Sequence, residues 1–197
     1  MNVVRPYLMT NRAAAAALTA DRILDAAKEL FTEKGIADIT LADIAARSGV
    51  TVQTILRRFG DKDSVFAAAI ARFGEQVRAE RDHAVPNDLD DIVANLVQHY
   101  EQWGHLMIKM LGEEATSPAL RDTVAAAKAY HRAWCEAVFP DALSDLPKVV
   151  RPRRLAQLVA ICDLRTWEQL RIDAGLSRQQ TKTALFEMLA RTATKEQ

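Results

Sequence analysis

Between Ile44 and Lys62 four basic residues, Arg47, Arg57, Arg58 and Lys62, meet a single acid, Asp61. Inside that window Thr51, Val52, Gln53 and Thr54 stand in a row ahead of the two adjacent arginines. These types suit recognition of a duplex. A glutamine amide can pair in two places with adenine, and a valine or threonine methyl can pack on that of thymine. Arginine and lysine serve phosphates, which fix position rather than sequence. The formal net charge of the 197 residues is zero, which argues against a nonspecific polyanion binder. Residues 1–81 hold 12 Lys+Arg against 10 Asp+Glu and the remainder 14 against 16, so the window stands out only locally.

The elements around the window are read as helices. From Asp21 to Lys34, Ile23, Ala26, Ala27, Leu30 and Phe31 repeat at helical spacing, and Gly35 ends the run. Thr40 caps a second helix, with Asp43 three residues on in a capping-box position and Leu41, Ile44 and Ala45 facing inward. That helix stops at Gly49. Thr51 caps a third, running to about Phe59, with Val50, Ile55 and Phe59 available for packing. Two short helices joined through a glycine turn make a helix-turn-helix. Asp61 can cap a fourth helix from Lys62, and the amide ends of the helices at Thr40 and Lys62 can add anion contacts.

Beyond the Val85–Asp88 turn, with its Pro86 and Asn87, the pattern is helix after helix. One covers Leu89 to Leu111, a second runs from Pro118 to Phe139, and residues 140–152 read as a loop. A long helix follows from Arg153 to Gly175, its stripe including Leu155, Leu158, Cys162, Thr166, Gln169 and Ile172. Ser177 caps the last helix, with Thr181, Ala184, Leu185, Met188 and Leu189 on one face. The last two helices can close a hairpin or offer a seam to a second copy.

Residues 21–70, from "DRILDAAKELFTEKG" through "TLADIAARSGVTVQTILRRFGDKDSVFAAAI", resemble the DNA-binding domain of the TetR family of bacterial regulators. The recognition helix of that family usually carries a tyrosine and a histidine where this chain has Leu56 and Arg58, and Lys62 matches the family's lysine opening the fourth helix. The resemblance implies an all-α protein. A three-helix helix-turn-helix domain over residues 18–77, its recognition motif at about 40–59, is joined by the fourth helix to a ligand-binding and dimerisation domain over 78–197. It implies a homodimer pairing through the last two helices, a palindromic operator, and a repressor released by a small apolar effector. The expected DNA-contacting residues are Thr40, Thr51, Val52, Gln53, Thr54, Arg57, Arg58 and Lys62. Those expected at the effector are Trp103, Met107, Met110, Tyr130, Trp134 and Trp167, for which core packing is an equal alternative.

Other classes are weighed on the same residues. A constitutive, ligand-free DNA-binding protein would fill its second half with those aromatics. An enzyme finds little support: there is no GxSxG turn and no phosphate loop, and the adjacent Glu113 and Glu114 diverge on a helix. No cofactor is expected. His99, His105 and His131 lack metal-site spacing, so no metal is expected either. Cys135 and Cys162 read as buried, reduced thiols. No stretch has the length of a membrane span or secretory signal, and a cytoplasmic location follows.

Overall fold

A computed structural model describes residues 4–193 as helices and turns, with no strand among the described residues. Contacts divide the chain into two units, residues 1–74 with 115–120 and residues 75–114 with 121–197. The division falls inside the fourth helix.

The first unit is built on α1 (Val4–Glu33), α2 (Leu41–Ser48), α3 (Val52–Phe59) and the start of α4 (Lys62–Arg81). α1 begins far ahead of Asp21, the start that apolar periodicity suggests. The alanine run favours helix by intrinsic propensity. It packs no stripe, since Ala14, Ala15, Ala17 and Leu18 are exposed, so periodicity has nothing to register there. From Ile23 onward the inward positions are those expected: Ile23, Ala26, Ala27, Leu30 and Phe31 are buried with Ile44, Ile55, Val65 and Phe66. Phe31 meets Phe66 edge to face at 6.5 Å between ring centres, which ties α4 to α1.

The second unit contains the end of α4, α5 (Leu89–Gly112), most of α6 (Pro118–Val138), α7 (Pro140–Leu143), α8 (Arg151–Ile161), α9 (Leu164–Glu168) and α10 (Arg178–Ala193). Asp88 caps α5 by accepting from the amide of Asp91 at 3.0 Å, and Asn87 takes the left-handed conformation that makes the preceding turn. Ser177 and Gln180 exchange side-chain-to-backbone hydrogen bonds at 3.2 and 2.9 Å, a capping box opening α10. Ile92, Leu96, Tyr100, Trp134, Leu155, Leu158, Leu185 and Leu189 share one core.

The single long helix expected from Arg153 to Gly175 is two. α8 ends at Ile161, and the Asp163 carboxylate accepts from the amide of Arg165 at 2.8 Å to start α9, a local bond that competes with helix continuation. A π-helical turn over Gln169–Asp173 follows. The break rotates the buried stripe: Leu164 and Trp167 point inward, while Gln169 and Ile172 lie on the surface.

Candidate nucleic-acid interface

The turn between α2 and α3 depends on Gly49, whose φ of 67° is the left-handed region that side-chain-bearing residues avoid. Its amide, and that of Val50, donate to the carbonyl of Ala45 and close the helix end. Thr40 and Asp43 form a complete capping box: the Asp43 amide donates to Thr40 Oγ1 at 3.1 Å, and the Thr40 amide to Asp43 Oδ2 at 2.8 Å. Lys34 Nζ lies 2.9 Å from the same carboxylate oxygen. The Lys34 ammonium, with the Thr40 amide and hydroxyl, holds the Asp43 carboxyl down at about 2.

At the next helix Thr51 Oγ1 accepts from the amide of Thr54 at 3.2 Å, and the two hydroxyls lie 2.9 Å apart. Ile55 anchors α3 in the core. With that face inward, Thr51, Gln53, Leu56, Arg57 and Arg58 are exposed, while Val52 and Thr54 are half-buried. Leu56 and Arg57 lie three and four residues after Gln53, so both neighbour it on one face of the helix.

The basic residues separate into two kinds. Arg47 sets both terminal nitrogens 2.9 Å from the two carboxylate oxygens of Glu33, with Glu29 at 3.4 Å. Lys62 donates to the backbone carbonyls of Ile36 and Ile39, each at 2.9 Å. Arg57 and Arg58 make no hydrogen bond or ion pair among the described residues. The helix amide ends are likewise partly occupied by the chain's own acids, with Asp43 at α2 and Asp61 accepting from the amide of Ser64 at 2.7 Å at α4.

In the second unit the six residues expected at an effector are spread. Trp167 is 1% exposed, and its ring lies against Gly104 so closely that a Cβ there would come within 2.5 Å. Trp134 is also buried, its indole N–H donating to the carbonyl of Arg81 at 3.0 Å. Trp103, Met107, Met110 and Tyr130 are half-buried. Trp103 donates to Glu80 at 2.7 Å, and Tyr130 to Asp82 at 2.6 Å. A groove of about 350 Å³ is lined instead by Glu80, His83, Asn95, Gln98, His99 and Gln102.

Arg81 is not among the residues to which the sequence assigns a role. Arg81, His99 and His131 are all buried in this unit. Arg81 lies four residues after Val77 and eight after Phe73, so a charge on the apolar stripe of α4 was the available signal. Cys135 and Cys162 are buried and free, and the neighbouring Cys135 thiol together with burial pushes the Cys162 thiol up.

A capped two-helix unit crossing at a left-handed glycine, with a polar and cationic outer face, defines a helix-turn-helix protein. Residues 23–69 match the family described as bacterial regulatory proteins, tetR family. The HTH-type transcriptional repressor Rv3405c of Mycobacterium tuberculosis is 37% identical over 67 residues, 34% of this chain and 36% of its own length. The matched region thus spans about a third of that curated relative. A transcriptional regulator from Rhodococcus sp. superposes with a TM-score of 0.69 at 19% identity, over 88% of this chain and 95% of the other. SmeT, solved as a complex with triclosan, gives 0.64 at 21% identity over 88% and 90%. By sequence the likeness to that family is confined to this N-terminal stretch, and beyond it the solved structures share the fold.

Proposed function

We propose that the protein is a sequence-specific DNA-binding transcriptional regulator, a homodimer that presents two α3 helices to successive major grooves of a palindromic operator. The observation that carries this is the state of the arginines. On a helix fixed by its cap and by Ile55, Arg57 and Arg58 have no partner among the described residues, whereas nearby Arg47 is locked to Glu33. Free guanidinium groups beside an exposed Gln53 are what phosphate and base contacts require.

In this reading Gln53, with Thr51, Val52 and Thr54, reads base edges, and Arg57 and Arg58 hold phosphates. Thr40 and Lys62 act mainly by fixing the helices that carry those residues. Dimeric helix-turn-helix proteins need half-sites roughly 34–36 Å apart, or a multiple of that. An effector that favours another separation releases the operator, provided its affinity differs between the two states. Pairing is assigned to the last two long helices, α8 and α10, and the surface position of Met188 on α10 supports a seam there. The working compartment is the cytoplasm, where the operator lies. No helix among the described residues is long and apolar enough to cross a membrane.

The ligand-free alternative draws support from Trp167, which at 1% exposed fills the core. Selection of duplexes from a random library by the purified protein tests the main reading, with sedimentation giving the oligomeric state. Recovery of a palindromic sequence by a dimer is expected. A monomer, or duplexes without a shared sequence, would remove it.

A further inference from the structure

Arg81, the last residue of α4, is 4% exposed, and its Nε and Nη2 are buried without an acceptor among the described residues. Its guanidinium lies 4.0 Å from the ring centre of Trp134 and 5.8 Å from that of Tyr100. Those faces attract the cation but supply no lone pair to its N–H groups. The polar ends of both rings are already engaged, Trp134 donating to the Arg81 carbonyl and Tyr100 to the carbonyl of Cys162 at 2.9 Å.

Two histidines complete the cluster. His99 lies 4.9 Å from the Tyr100 ring, and His131 stacks on Trp134 at 6.4 Å with planes 15° apart. They are 3% and 8% exposed, and in each Nδ1 is buried without a partner among the described residues. His131 Nε2 is 3.0 Å from the carbonyl of Val159 and donates to it, so in the neutral ring Nδ1 is left as an acceptor. Burial first, then Arg81 and His131, hold His99 down at about 3, so it is neutral and Arg81 supplies the cluster's charge.

The nearby acids are engaged elsewhere. Asp82 accepts from Tyr130 and Glu80 from Trp103 and Gln102, while Asp163 caps α9 and has its other carboxylate oxygen 4.0 Å from His131 Nε2. Arg81 forms no ion pair among the described residues. A buried cation is normally paired, and orphaned donors at that depth are rare in a folded core. Of the cluster, His99 also lines the groove along α5.

We propose that Arg81, held between Trp134 and Tyr100, is the anchor for a small organic carboxylate that the second unit binds as its effector. The proposal rests on the regulator reading above and gives that effector a charge. The carboxylate oxygens accept from Nε and Nη2, the two rings flank the ligand's apolar body, and a ligand hydroxyl or N–H can donate to His131 Nδ1. An anion with an apolar body thus replaces the wholly apolar effector expected from sequence. Arginine suits the role because its fork matches a carboxylate in two places.

The test uses the full-length protein and matched probes at constant ionic strength: acetate, hexanoate, benzoate and indole-3-acetate, each against its amide. Melting temperature and tryptophan fluorescence are followed, the latter because Trp134 touches the anchor. At least one carboxylate is expected to raise the melting temperature by about 2 °C or more at saturation while its amide does not. Arg81→Met should weaken that carboxylate at least tenfold and, without ligand, melt no lower than the parent. Amides binding as well as acids, no carboxylate binding, or an Arg81→Met protein that melts several degrees lower or fails to fold would overturn the proposal. Duplex binding by the unmodified protein is scored on the same preparation. Its absence, with carboxylate binding intact, would count against the regulator reading alone.

Discussion

Arg47 grips Glu33 with both terminal nitrogens at 2.9 Å, while Arg57, ten residues further on, leaves its guanidinium to solvent. The first pairing fastens α2 to α1 and is internal work. The second residue is available for an external phosphate, and the two arginines should therefore answer differently to removal.

Arg57→Ala and Arg58→Ala are expected to weaken binding to specific and random duplexes alike, each lowering the salt slope of log K by about 1. Arg47→Ala should lower the melting temperature and leave that slope unchanged. Anisotropy titrations across a salt series, with a melting curve for each variant, make the comparison.

Gln53→Ala should mainly relax base preference. Loss of a two-point contact with adenine is worth about 1–3 kcal/mol of discrimination. Competition between the selected duplex and single-base variants measures it, and an equal loss on all of them would reassign Gln53 to the backbone.

Lys62→Met removes the donor to the carbonyls of Ile36 and Ile39. Leaving those acceptors short should cost about 1–3 kcal/mol of stability in urea unfolding, with a salt slope changed by less than the arginine variants change it. A full unit of slope would instead restore the phosphate contact that its position in the sequence suggests.

Acid should loosen the second unit before the first. His99 titrates near 3 in the fold against 6.5 when free, and His131 is lowered in the same direction. The unfolded chain therefore binds more protons once pH falls below 6.5, and stability drops by up to about 1.4 kcal/mol per pH unit for each histidine. Asp43 acts only lower down: its stabilisation is present above its free value and is lost as pH approaches 2. Melting temperature followed from pH 8 to 4 should decline below 6.5, and less steeply for His99→Gln.

Gly104→Ala should destabilise through a clash, since the added Cβ would meet Trp167 Cζ3 at 2.5 Å. Both the ring and α5 are packed, so a cost of about 1–3 kcal/mol is expected in urea unfolding.

The helix-turn-helix was legible because its signals are local. Thr40, Gly49 and Thr51 declare caps and turns within a few residues, and the α2 and α3 bounds follow directly from them. The paired state of Arg47 and Lys62 was not legible, because their partners lie 14 or more residues away and only the packed helices bring them together. The α8–α9 break was hidden for a different reason: Asp163 is an ordinary helix-face residue until its carboxylate turns back on the chain. The nearness of Cys135 to Cys162 and the Arg81 cluster are likewise products of tertiary packing. Arg81 alone left a trace, as a charge on an apolar stripe.

On the proposed function, α3 reads DNA through Gln53 and holds it through Arg57 and Arg58. This is tested most directly by salt-dependent binding to the DNA upstream of the protein's own gene, against random competitor, for the parent and for Arg57→Ala. Selective binding that survives competitor is expected, with a salt slope shallower by about 1 in the variant. Weak, unselective binding with the same slope in both proteins would contradict that role for α3.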